Sequence, residues 1–154
     1  MNGSLIVGII TITAIIIPLL LLNRNKAMRN AAIKQKMAEI TNGATITKHE
    51  NWNGSAIALD ENKKICYYAR QEKNSCFSEI INLTDYLTCR VVTSSSMGST
   101  STSVEMIEIV FSPKNANEET KTLVFFNAET DGFTLSGELQ IAEEWKKVCT
   151  NLMK

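Results

Sequence analysis

"GSAIALDENKKICYYA", residues 54–69, is the stretch whose pattern decides what this chain builds. Two runs that suit a pleated strand, 54–60 and 64–70, flank the turn formers Asp60-Glu61-Asn62-Lys63. That pattern predicts a β-hairpin, and the chain around it keeps the same rhythm. Further strand-like runs occur at 44–50, 76–82, 86–94, 103–111 and 121–127, and Asn51–Gly54 supplies a second hairpin connection. The polar stretches "TSSSMGSTSTS" (93–103) and "SPKNANEET" (112–120) are expected to be solvent-facing loops. The chain closes on a predicted helix from Ser136 to about Leu152. Ser136 is placed to cap it, Glu138 lies in its first turn, and Lys146 and Lys147 lie late, the order that suits the helix dipole. Ile141, Ala142, Trp145, Val148, Cys149 and Leu152 line one side of that helix. Seven strands followed by one strongly one-sided helix predict an α+β, mainly β, domain. A partly open barrel plugged by the helix buries both sets of apolar side chains.

The other end of the chain has a different chemistry. Leu5–Leu22 carries no charge, and Arg24, Lys26, Arg29, Lys34 and Lys36 follow with no acid among them. Eighteen residues of helix span about 27 Å, enough for a hydrocarbon core. No basic residue precedes the run and no small-x-small cleavage site follows it, so the segment is expected to remain as a transmembrane anchor rather than be removed. The basic residues on its C-terminal side predict an N-terminus outside and the rest of the chain in the cytoplasm, on a single-pass protein of the inner (cell) membrane. The five basic residues are the expected contacts to lipid headgroups. Ser4 and Gly8 form a single small-x-x-x-small pair that offers a weak route to self-association. Residues 24–43 favour helix, but their apolar positions form no clean stripe. They are expected to be a stalk near the membrane that ends at Asn42-Gly43. The expected division is therefore an anchor over 1–23, a basic connector over 24–43 and a β-rich domain over 44–154.

Charge and cysteine usage narrow the functions. The net charge of zero conceals an acidic domain, because all sixteen acidic residues and only eleven of the sixteen basic ones follow residue 36. That balance argues against nucleic acid as a partner. Cys66, Cys76, Cys89 and Cys149 form no C-x-x-C pair and are expected to be buried thiols in a reducing compartment, with no metal. His49 is the one histidine, and no nucleophile motif accompanies it. Asp60 and Asp85 suit turns better than metal ligation. No phosphate-cradling glycine loop is present, and no cofactor is expected. Trp52, in the first hairpin turn, is either a contact for a partner or a lid over the barrel end.

The order of seven strands and a closing helix resembles the pleckstrin-homology-like (PH-like) fold. The hairpin "GSAIALDENKKICYYA", the segment Asp85-Tyr86-Leu87 and the helix bearing Trp145 resemble small bacterial domains of this type. The likeness covers about residues 44–153 and implies an interaction module without catalysis. Members that bind phosphoinositides carry several basic residues in the first hairpin, whereas "KHENWNGS" has Lys48 and His49 beside Glu50. That function is therefore not carried over. The expectation is a membrane-anchored scaffold with a protein partner. A pilin-like filament subunit is the alternative, weakened by the missing leader and early glutamate. A membrane-bound enzyme with an unrecognised site is a further alternative.

Overall fold

The computed structural model describes residues 28, 30–73, 75–97, 102–132 and 134–154. The anchor 1–23, the Ser4–Gly8 pair, and Arg24, Lys26 and Arg29 lie outside the described residues. Among the described residues no helix is long and apolar enough to cross a membrane.

Strand alternation sets the two faces of the first sheet. β1 (Lys48–Trp52), β2 (Ser55–Asp60), β3 (Ile65–Gln71) and β4 (Cys76–Asn82) pair antiparallel in sequence order. The β1–β2 turn is Asn53-Gly54, with φ of +32° and +69°. This is the left-handed geometry that tight hairpins take and that Asn and Gly tolerate best. The predicted β2–β3 turn forms around Asp60, whose carboxylate accepts N–H bonds from Lys63 and Thr45, both at 3.0 Å. Those bonds, the one from Lys63 foremost, hold its carboxyl below the usual range. Asp60 therefore stabilises the fold at neutral pH, and the contribution is lost as pH falls below the ordinary carboxylate value of about 3.9. Asp60→Asn is expected to melt earlier than the native chain at pH 7, with the gap closing on acidification. Thermal melts at pH 7 and pH 3 check it.

Every residue of β2 is buried, as are the five central residues of β3. A sheet with one face in water cannot produce that pattern. On the inner face Ile57, Leu59, Cys66, Tyr68 and Ile81 enter the main core. On the outer face Ala56 and Ala69 are covered by a helix over residues 30–40, here α1. Ile33 packs on the two alanines, with Met37 and Ile40 alongside. The connector is thus helical over 30–40, and that helix packs on the first sheet. Its apolar contact follows the spacing i, i+4, i+7, and the small alanines beneath let the helix backbone come close. α1 stops as expected at Asn42-Gly43, where Gly43 has φ +76°.

The second sheet is β5 (Tyr86–Met97), β6 (Thr102–Pro113) and β7 (Lys121–Asn127), antiparallel in that order. A 3-10 turn, Leu83–Asp85, joins the two sheets, and Asn82 Oδ1 caps it by accepting the Thr84 N–H at 3.3 Å. The expected loop 93–103 is mostly strand. β5 runs on to Met97 and β6 begins at Thr102, with Ser96 and Ser103 hydroxyls 3.3 Å apart across the pair. Consecutive Ser and Thr hide a strand from hydrophobic patterning, yet Thr and Ser pairs suit cross-strand positions.

The sheets pack crosswise, and three contacts show how. Along β7, Lys121 Nζ meets Glu79 of β4 at 2.8 Å. The Val124 carbonyl accepts from Tyr68 Oη of β3, and the Phe125 carbonyl accepts from Trp52 Nε1 of β1 at 2.8 Å. Four residues of strand cover about 13 Å, and the three strand spacings from β4 to β1 cover about 14 Å. β7 therefore crosses the strands of the first sheet at a steep angle. Its edge carbonyls, which would otherwise invite strand addition, are covered by these side chains.

α2 (Ala128–Asp131) is a short helix not foreseen from sequence, and α3 (Glu138–Met153) is the closing helix. The predicted stripe of α3 is the one buried: Ala142, Trp145 and Cys149 lie in the core, with Ile141, Val148 and Leu152 beside them. Its start differs from the expectation. Gly137, at φ +110°, is the N-cap and makes no side-chain cap bond. Ser136 instead donates its backbone N–H to the Glu138 carboxylate. The observed architecture is mainly β, two antiparallel sheets of seven strands with a C-terminal helix.

Candidate functional site

Two ends of the domain can be told apart. Gln71 N–H bonds the Gly54 carbonyl at 2.8 Å, so the β1–β2 turn and the β3–β4 connection share one end. Leu83 N–H bonds the Lys64 carbonyl and Lys114 N–H bonds the Asp85 carbonyl, both at 2.9 Å. The β2–β3 turn, the 3-10 turn and the β6–β7 loop therefore share the opposite end. Asn30, in the first turn of α1, lines one groove with Asn53 and Gly54, and just beyond the helix Lys63 Nζ bonds the Gly43 carbonyl at 3.3 Å at the Lys64 end.

Between α1 and the outer side of the β1–β2 hairpin lies a groove of about 690 Å³. Alternation along β1 turns His49 and Asn51 toward it, and Asn30 and Lys34 line it from the helix. Ile33 and Ala58 contribute apolar wall. The groove offers an ammonium, an imidazole and carboxamides above apolar surface, groups suited to hydrogen-bonding an extended or acidic ligand. Its two hydroxyls are already engaged. Thr41 donates to the Met37 carbonyl at 2.7 Å, and Ser55 accepts from Arg70 at 3.0 Å. Of the residues expected at headgroups, Lys34 lines this groove. Lys36 is turned along α1 to Glu39 at 3.1 Å. Asp85 lies in the 3-10 turn, as expected of a turn former, and accepts from Thr84 Oγ1 at 3.2 Å.

Trp52 shows only 9% of its surface. Its ring stacks on Phe125 with centroids 4.6 Å apart and its N–H is spent on the Phe125 carbonyl. The indole is thus a core residue with little surface left to touch a partner. Burying an indole needs an acceptor for its N–H, and the crossing of β1 by β7 supplies one.

The charged groups that sequence reasoning missed are inside. Arg70 donates to Asp131 at 2.7 Å, to Thr130 and Ser55 at 3.0 Å each, and joins the sheets at the Gly54 end. Both charged side chains are at most 5% exposed. Asp131 also accepts the Asn127 N–H at 2.9 Å. Glu138, likewise buried, accepts from the Asn53 amide and the Ser136 N–H. Trp145 Nε1 donates to Glu50 at 2.7 Å, and the Lys48 ammonium lies 5.2 Å from the centre of the same ring. The signal for Arg70 was present in its parity, since it shares the inward register with Cys66 and Tyr68. Its partner lies 61 residues away, beyond the reach of local pattern.

All four cysteines are free thiols, and three of them are buried. The neighbouring Cys149 thiol and burial together push the Cys66 thiol well up, and burial raises those of Cys89 and Cys76. Thiolate is the reactive form. In the native chain at pH 8 only Cys76 is expected to react slowly with an aromatic disulfide reagent, and the other three are expected to react once denaturant is added. Thiol titration with and without denaturant measures this. Among the described residues no three His, Cys, Asp or Glu side chains converge as a metal site would require. No protein-family model matches the chain, and no curated protein or solved structure matches it.

Proposed function

We propose that this chain is a single-pass membrane protein whose cytoplasmic PH-like domain serves as a docking module for another protein. The observation that carries the reading is the position of α1. The helix that follows the apolar segment is packed on the outer face of the first sheet through Ile33, Met37 and Ile40. A tether that enters the domain through a packed helix keeps that side of the domain close to a bilayer. The helix also forms one wall of the groove. Four strands crossed by three and closed by a helix support the PH-like reading. The uncharged run Leu5–Leu22 with its basic collar supports the anchor and its orientation. Confinement to a surface raises the effective concentration for any second membrane-bound partner, which lets a modest groove suffice.

The test is site-specific photo-crosslinking in cells that make the full chain. A photoreactive residue in place of His49 or Asn51 is expected to yield one discrete heterologous adduct. The same residue in place of Glu119, at the Lys64 end, is expected to yield none. Equal adducts at all three positions, or only ladders of the chain with itself, would overturn the docking module. Ladders would favour the filament subunit.

A further inference from the structure

Six large apolar side chains are exposed among the described residues, and four of them belong to one end of the domain. These are Met28 at 61%, Phe77 at 40%, Leu135 at 36% and Leu139 at 40%. Phe77 is the cross-strand partner of Arg70, one residue from the Gln71–Gly54 bond. Leu135 and Leu139 bracket Glu138, whose carboxylate holds the Asn53 amide of the β1–β2 turn. Met28 leads into α1, whose Asn30 lines one groove with the same turn. Of the other two, Ile80 lies in the middle of β4 and Leu87 at the Lys64 end. Single exposed apolar residues are ordinary, whereas four of the six at one pole mark that pole as the apolar one.

The path of the chain says what lies against that pole. Six residue steps lead from Leu22, the end of the uncharged run, to Met28. Fully extended they reach about 21 Å, and as helix about 9 Å. The Gly54 end is therefore the one held next to the bilayer if the run spans it. We infer that this apolar rim rests in the interfacial layer of the same membrane, so that the domain lies on the bilayer at a second point besides its anchor. The inference rests on the anchor reading above. The buried charges of this end are consumed internally, since Arg70, Asp131 and Glu138 all bond within the fold. Glu72, Glu129, Lys34 and Lys73 are exposed there, acids and bases alike, so apolar area and not net charge carries the contact. Apolar side chains at the boundary of headgroups and acyl chains are stabilised in proportion to the area they bury. The opposite pole, with the β2–β3 turn and the 114–120 loop, points away from the lipid.

Depth-dependent quenching tests this on the full chain in phosphatidylcholine–phosphatidylglycerol vesicles. An environment-sensitive fluorophore is placed at Leu139→Cys or, as control, at Lys63→Cys, each in a Cys76→Ala background whose remaining thiols are buried. Shallow spin-labelled lipid is expected to quench the fluorophore at Leu139→Cys several-fold more than at Lys63→Cys, with a blue-shifted emission at the former only. Equal quenching at the two sites, in chain that stays with the vesicles through an alkaline wash, overturns the rim contact and leaves the anchor standing. A blue shift at Leu139→Cys without lipid quenching also overturns it and points to a second protein as the cover. Loss of the chain from the vesicles in the wash overturns both readings together.

Discussion

Arg70→Met is expected to destabilise the domain by about 3–5 kcal/mol, the cost of leaving a buried charge without its partner. Asp131 would keep its carboxylate at 1% exposure with the Asn127 N–H at 2.9 Å and a longer Thr130 Oγ1 contact at 3.4 Å to stabilise it. The loss also frees the hydroxyls of Ser55 and Thr130. Because the Arg70 guanidinium links β3 to the segment after β7, the two sheets would lose their main polar tie at the Gly54 end. The double variant Arg70→Met with Asp131→Asn is the informative control. It removes both charges yet keeps an oxygen for the Asn127 N–H, so much of the loss should return. Urea denaturation of the two variants and the native chain measures the difference. Equal stability of the single and double variants would show that the charge left behind is not the cause.

Trp145→Ala is the second large effect, expected at about 3–5 kcal/mol from the cavity and the lost apolar area. Trp145 has no exposed surface and lies among the core residues that α3 brings to both sheets. Part of the loss is polar, because Glu50 would be left without the indole N–H that meets it at 2.7 Å. Trp145→Phe separates the two contributions, since it restores most of the volume and none of the donor. It is expected to cost about 1–3 kcal/mol, the range for a polar group deprived of its hydrogen bond. Since Glu50 is only half-buried, water can take over as its partner, which places the cost toward the lower part of that range.

The strands were legible where apolar and small residues alternate. Gly54–Arg70 shows Ile57 and Leu59 facing inward with Cys66 and Tyr68 across the turn, and the helix announced itself through Ala142, Trp145 and Cys149. Legibility failed where the partner is distant or the receptor is small. α1 seemed a stalk because its contact is only Ile33, Met37 and Ile40, and the surface that receives them is two alanines and a thiol. Nothing in "NAAIKQKMAEI" tells that Ala56 and Ala69 await it. Trp52 was ambiguous because its acceptor, the Phe125 carbonyl, lies 73 residues away. The far ends of β5 and β6 were hidden by their serines, which carry no apolar period. The groove was equally illegible, since His49, Asn51 and Lys34 converge only after α1 docks.

The central proposal is a folded domain held to the inner face of a membrane by the segment before α1. The most direct measurement is labelling of Glu119→Cys by a membrane-impermeant thiol reagent, read in alkali-washed membranes from intact and from permeabilised cells. Glu119 lies in the exposed 114–120 loop at the Lys64 end, clear of the core and of the proposed lipid contact. The predicted result is a chain that stays in the washed membranes and takes the label only after permeabilisation. A chain released by the wash, or labelled fully in intact cells, would contradict it.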